Sequence, residues 1–218
     1  MSAFVQGNIA SSSAASFTIT LPSAPGNGHI LTIAIGGQIT VSGITDSQGN
    51  VWTVVAGYPG SSKIAWQTMS NGTTGAYTAT LTNGSPGSSN TATLTETSLT
   101  AGFTLQSTTW HTFFSSGFGG TETFTAPAAG ATAILISALG NTFGSTAFVG
   151  GTGVVQRETD SYFISIGDKL SASSGSNVWT VCQDLGCSCG GTLYTLAIVY
   201  SMSSAPLTKS VLFDAMNE

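Results

Sequence analysis

The sequence predicts an all-β protein, an antiparallel β-sandwich that is jelly-roll-like, with extended N- and C-terminal arms. Three observations carry this. Turn signals recur roughly every ten residues, the spacing of short strands in sandwiches and barrels. Between the turns, β-branched and aromatic residues alternate with Thr and Ser, the period-two pattern of half-buried strands. No helical periodicity is sustained before residue 205, and long stretches of Ala, Leu, Glu, Lys and Arg are missing.

The elements follow in order. Residues 1–15 are small and polar, ending in Ser11-Ser12-Ser13-Ala14-Ala15, and read as an N-terminal arm. Ser16-Phe17-Thr18-Ile19-Thr20-Leu21 alternates and is a half-buried strand, closed by Pro22, Pro25, Gly26 and Gly28. His29-Ile30-Leu31-Thr32-Ile33-Ala34-Ile35 is continuously apolar and reads as a central strand. Strands near 39–45 and 51–57 flank Asp46-Ser47-Gln48-Gly49-Asn50, which reads as a hairpin turn with Trp52 anchoring the second strand in the core. After the Tyr58-Pro59-Gly60 turn comes a strand over 63–69. Ser70-Asn71-Gly72-Thr73 is a second expected hairpin turn, leading to a strand over 77–81. Sequons begin at Asn71 and Asn83, and both read as Asn-Gly turns rather than glycosylation sites. Further strands are expected at 92–97, within 103–114, and at 121–125, 131–139, 154–158, 161–167, 177–183 and 192–201, with a long glycine-rich loop at 140–153. The runs 22–35 and 127–139 resemble each other, and are read as two corresponding strands of one sandwich. The domain therefore spans 16–205, and 206–218 is a C-terminal arm whose Val211, Leu212 and Phe213 require burial.

Composition limits function. A chain of 218 residues buries a sizeable core without needing a metal or disulfide. Only 6% of residues are charged, against about 25% in ordinary globular proteins. Net charge is −5, and the basic side chains are Lys63, Arg157, Lys169 and Lys209. That is too few to neutralise phosphates, which argues against nucleic-acid and anionic-membrane partners. No stretch reaches the ~18 consecutive apolar residues of a membrane helix. Residues 1–6 lack the basic start and apolar core of a signal peptide. Together with an outward-facing composition, this points to a virion assembled in a host cytoplasm. An extracellular or cell-surface location is the alternative.

Asp46 is the only carboxylate in its loop, too few for a calcium site. Cys182, Cys187 and Cys189 lack a nearby fourth zinc ligand, His29 and His111 being distant in sequence, and read as a loop with at most one disulfide. No serine sits in a nucleophile elbow. Glu96, Glu122, Glu158 and Asp160 are the carboxylates a glycosidase pair would draw on, but Arg157 and Lys169 serve equally as simple ion partners. Trp52, Trp66 and Trp179 alternate with apolar neighbours and read as core, which leaves Tyr58 and Trp110 as ligand-binding candidates in a glycan-binding reading. No enzyme activity, cofactor or metal is expected.

One resemblance bears on function. An apolar strand from Ile30, then Thr45-Asp46-Ser47-x-Gly49-Asn50-x-Trp52-Thr53, an aromatic at Trp66 and Thr93-x-Thr95-Glu96 resemble a β-sandwich module of tailed-phage virion proteins and bacterial surface proteins. The 131–139 and 193–200 strands fit the same module. The resemblance implies a jelly-roll-like fold and a structural or adhesive role, without particular binding residues. The expected function is a non-enzymatic virion protein, such as a head decoration, minor capsid or tail/fibre component. It would contact other virion proteins or its own copies through Phe4, Val5, Val211, Leu212 and Phe213, and a homo-oligomer is expected. The alternative is a carbohydrate-binding or adhesin module.

Overall fold

A computed structural model describes residues 3–37, 41–57, 64–72, 74–83, 90–99, 103–115, 121–126, 132–140, 149–150, 155–159, 164–172, 175–181 and 191–202. Among these residues the fold is all-β with antiparallel pairing throughout and no helix. The first eight strands are β1 (Ala3–Ser12), β2 (Ser16–Thr20), β3 (Ile30–Gly37), β4 (Val41–Asp46), β5 (Thr53–Gly57), β6 (Ile64–Met69), β7 (Thr78–Asn83) and β8 (Asn90–Ser98). The next eight are β9 (Phe103–Ser115), β10 (Thr121–Ala126), β11 (Thr132–Gly140), β12 (Val149–Gly150), β13 (Val155–Thr159), β14 (Ile164–Ala172), β15 (Gly175–Val181) and β16 (Gly191–Met202).

β1–β8 form a sandwich of a five-stranded sheet, order β1-β8-β3-β6-β5, and a three-stranded sheet, order β2-β7-β4. The pairs β1·β8, β2·β7 and β3·β6 nest inside one another, the wrapping of a jelly roll. The innermost pair departs from that pattern. The expected hairpin across Asp46–Asn50 would join β4 to β5, but β4 pairs with β7 and β5 with β6, in different sheets. The 70–77 connection likewise crosses from β6 to β7, between sheets. Both expected hairpins are therefore crossovers. The turn chemistry is the same in either case, because an Asp-capped turn with glycine at φ 70 reverses the chain whether or not its two arms pair.

β9–β16 repeat the arrangement. Their sheets run β9-β16-β11-β14-β13 and β10-β15-β12, strand for strand the order of the first set. Even the irregularities coincide. Val5 is the extra residue between the pairs Phe4↔Thr97 and Gln6↔Glu96, and Gln106 is the extra residue between Leu105↔Tyr200 and Ser107↔Val199. Val55 in β5 and Arg157 in β13 are a second matched pair of bulges. β1–β8 and β9–β16 thus form two sets of sheets of one topology. The resemblance of 22–35 to 127–139 marks β3 and β11, the same strand of each copy. Only residues 99–102 join the last strand of one copy to the first of the next, too few to read as a linker. Two smaller expectations change as well. Ala3–Ser12, within the expected arm, is edge strand β1, and Val149–Gly150, within the expected loop, is β12.

The first core lies between its two sheets. Phe17, Ile19, Leu21, Leu31, Ile33, Ile35, Trp52, Tyr77, Leu81 and Leu94 are buried there, with Trp66 packed against them. The opposite face of the five-stranded sheet is buried too. Thr32, Gln67, Thr93, Thr95 and Thr97 on that face are buried, and Gln67 there meets Tyr200 on β16 of the second copy. Gln67 Nε2 donates to Thr32 Oγ1 (2.9 Å) and to the Tyr200 hydroxyl. A sheet covered on both faces explains the nearly continuous burial of 91–97, and Thr fills apolar volume while its hydroxyl bonds locally, as Thr95 does to the Thr32 carbonyl. At the rim, Arg157 pairs with buried Asp168 (Nε to Oδ2, 2.9 Å) and lays its guanidinium 4.8 Å from the Phe4 ring centre. Burial pushes the Asp168 carboxyl up, and Arg157 opposes this without cancelling it.

Candidate functional site

The polar groups of the first sandwich gather at one end, where the connections 21–29, 46–52 and 70–77 meet. Asp46 ends β4 and organises this end. Its Oδ1 accepts from the backbone N–H of Gln48 (2.9 Å) and Asn50 (3.0 Å). Its Oδ2 accepts from Trp52 Nε1 (2.8 Å), Asn50 Nδ2 (3.1 Å) and the Tyr77 hydroxyl (2.7 Å). A carboxylate has about four lone-pair sites, so five donors saturate it. Burial pushes the Asp46 carboxyl up, but the bonds from Tyr77, Asn50 and Trp52 outweigh it and leave the acidity raised, with the pKa below the ordinary value. Burial and the bond to Asp46 push the Tyr77 phenol up.

A second carboxylate, Glu96 on β8, is fully buried. Its Oε1 accepts from the Gly26 N–H (2.8 Å) and His29 Nδ1 (2.5 Å), and its Oε2 from Gln6 Nε2 (2.5 Å). Gln6 in turn holds Ser23: its Oε1 accepts from the Ser23 N–H (2.9 Å) and hydroxyl (3.0 Å). His29 lies flat over Gly26, and a Cβ there would stand 2.5 Å from the ring. Ser70 links the two carboxylate clusters. Its N–H donates to the His29 carbonyl (2.9 Å), its carbonyl accepts from Gly28, and its hydroxyl donates to Gln48 Oε1 (3.3 Å). Asn71 Nδ2 completes the web at Asn50 Oδ1 (2.6 Å).

This end works as a polar clamp. Asp46 spends its acceptor capacity on the loops 46–52 and 70–77, and Glu96 on the 21–29 loop and on Gln6 of β1. The His29 side chain keeps 28% of its surface, but among the described residues no group of three His, Cys, Asp or Glu side chains comes together around it.

The residues singled out from sequence are dispersed. Val5 is the exposed bulge of β1, and Phe4 is half-buried beneath Arg157. Trp110 lies in β9, opposite Leu196, and His111 opposite Thr195. Trp52 is core, as expected. Glu122 pairs with Trp179 on β10, and Glu158 lies in β13 beside an Arg157 that is taken by Asp168. Tyr58, Asp160, Cys182, Cys187, Cys189, Val211, Leu212 and Phe213 lie outside the described residues. The Gln6–Glu96–His29 cluster was not anticipated, although one signal pointed to it. Ala92, Leu94 and Glu96 share a strand face, so a core strand carried a carboxylate inward.

No family model matches the chain. No curated protein matches its sequence.

Proposed function

We propose that this protein is a non-enzymatic structural component of a virion, a head decoration, minor capsid or tail/fibre protein that packs into a larger assembly. The observation that carries the reading is the commitment of its buried polar groups to architecture. Asp46 and Glu96 tie loops together, and Gln67 with Tyr200 ties one sandwich to the other. The sparse charge, near 6% of residues, supports it as well, since such a surface suits packing against neighbours rather than steering ionic ligands. The resemblance to phage virion modules supplies the particular setting. At the N-terminus the proposed contact narrows to Val5, because Phe4 is already engaged by Arg157. At the C-terminus, Val211, Leu212 and Phe213 bridge to neighbouring subunits, gaining avidity from repeated contacts.

The test is quantitative mass spectrometry of purified particles, with and without residues 206–218. The chain is expected in particles, and the deletion is expected to leave the circular dichroism spectrum unchanged while lowering occupancy several-fold. Unchanged occupancy refutes the role of the terminal segment. Glycan-array binding that is lost on Tyr58→Ala would favour the carbohydrate-binding reading instead.

A further inference from the structure

We propose that Asn71 is a self-modification site, an asparagine that deamidates when the clamped end of the first sandwich opens and thereby stops that end from closing again. The inference stands apart from the assembly reading. Two Asn-Gly pairs, Asn27-Gly28 and Asn71-Gly72, lie in the connections that meet at this end, and both asparagines are exposed. Asn-Gly pairs are open to this chemistry because glycine has no Cβ to shield its backbone nitrogen. The Gly72 nitrogen, after giving its proton to solvent, attacks Asn71 Cγ. The N–Cγ bond forms, the Cγ–Nδ2 bond breaks, and ammonia leaves with a proton taken back from water. Water then opens the five-membered imide at either carbonyl, giving Asp or isoAsp at position 71.

In the closed structure both glycine nitrogens are tied to one residue. Ser70, 1% exposed, accepts from the Gly28 N–H at its carbonyl (2.9 Å) and from the Gly72 N–H at its hydroxyl (3.1 Å). A nitrogen whose proton is held this way is a poor nucleophile, because deprotonation must first give up the bond. The Gly72 peptide is also held in place. It has φ 66°, and Asn27 packs so closely on it that a Cβ at Gly72 would stand 2.4 Å from the Asn27 Cβ. The leaving amide is anchored too, since Asn71 Nδ2 donates to Asn50 Oδ1 at 2.6 Å. Opening of this end releases all three restraints together.

The same web decides what the product does. Asn50 Nδ2 already donates to Asp46 Oδ2 and to Gln48 Oε1, both at 3.1 Å, so Asn50 presents its oxygen to residue 71. The Asn71 amide meets that oxygen with a donor, and an ionised carboxylate has none to offer. Deamidation therefore sets oxygen against oxygen and adds a negative charge to the cluster that Asp46 organises. IsoAsp in addition lengthens the backbone of the turn.

The experiment follows deamidation by peptide mass spectrometry in mildly alkaline buffer, in the folded protein, in urea and in the variant Ser70→Ala. Asn27 and Asn71 are expected to convert roughly 10-fold or more slowly in the folded protein than in urea, since the closed state must open first. Ser70→Ala removes the hydroxyl that holds Gly72 and keeps the carbonyl that holds Gly28. Asn71 should then convert several-fold faster while Asn27 stays slow. Equal rates in folded and unfolded protein overturn the proposal. So does a natively folded Ser70→Ala protein in which Asn71 is no faster, or in which both sites accelerate alike. Should Ser70→Ala fail to fold, amide hydrogen exchange in the unsubstituted protein decides: slow exchange at Gly28 and Gly72 supports the guard, and fast exchange at Gly72 overturns it. The effect of the product is read by urea denaturation of Asn71→Asp against Asn71→Ala. Asn71→Asp should lower the midpoint further, and an equal or smaller loss overturns the claim that deamidation holds this end open.

Discussion

Replacing Asp46 with Ala removes the acceptor that five donors share. The Gln48 and Asn50 groups lie close enough to the surface to regain water. Trp52 Nε1 and the Tyr77 hydroxyl do not, because both residues are core members, exposed 8% and 1%. A hydrogen bond to a charged group is worth about 1.5–3 kcal/mol, and a buried donor left alone forfeits its hydration as well. Two such losses with little relaxation predict a destabilisation of about 3–5 kcal/mol, in the range reserved for broken buried networks. In urea, with a slope of about 2–3 kcal/mol per molar, the midpoint should fall by roughly 1.5 M at constant slope. Tryptophan fluorescence, which includes Trp52, reads the transition. Acid titration supplies an independent check. The folded Asp46 carboxyl titrates below its ordinary value of 3.8. Its stabilising contribution is therefore complete above the unfolded pKa and is lost as pH falls through the folded one. Asp46→Asn should lack this part of the acid dependence. A loss below about 1 kcal/mol in Asp46→Ala, or unchanged acid dependence in Asp46→Asn, would refute the clamp, since a saturated buried acceptor cannot be removed that cheaply.

Two further predictions concern single atoms. Gly49 and Gly72 both have positive φ, 70° and 66°, but a Cβ at Gly49 meets nothing while one at Gly72 stands 2.6 Å from the Asn27 Cα. Gly49→Ala should cost about 1–2 kcal/mol, the left-handed penalty alone, and Gly72→Ala measurably more, by urea denaturation. Thr93 and Thr97 bury hydroxyl oxygens that find no hydrogen-bond partner among the described residues. Thr97→Val and Thr93→Val should each be neutral or stabilising by up to about 1 kcal/mol, and a clear loss of thermal stability in both would mean that those hydroxyls are satisfied.

Much of the strand pattern was legible beforehand. The alternation in 16–21 gave β2 its buried Phe17 and Ile19, and the apolar run at 30–35 gave the doubly covered β3. Hydrophobic period depends only on neighbours in sequence, so it survives without knowledge of the fold. Partner choice does not. The Asp46–Asn50 turn was read correctly as chemistry and incorrectly as topology, because its internal bonds are indifferent to the sheet that receives β5. The Glu96 cluster joins residues 67 to 90 positions apart, with Gln6 drawn from a stretch that looked like a free arm. Nothing local to Gln6 marks it as the partner of a buried carboxylate.

The pentapeptide Asn-Val-Trp-Thr-Val shows the division most directly. It occurs at 50–54 and again at 177–181. In the first, the chain steps between sheets, Trp52 drops into the core beneath Asp46, and Thr53 and Val54 begin β5 of a five-stranded sheet. In the second, all five residues lie in β15, the central strand of a three-stranded sheet. The sequence by itself determined that this is an all-β protein of low charge, where most of its strands lie, and which side chains turn inward, since period and turn chemistry are local properties. Only the tertiary structure decided that the strands make two sets of sheets of one topology, that Thr-rich faces are interior, and that Asp46 and Glu96 hold the loops. Those outcomes depend on which distant strands meet, and equivalent local patterns leave that choice to the packing of the whole chain.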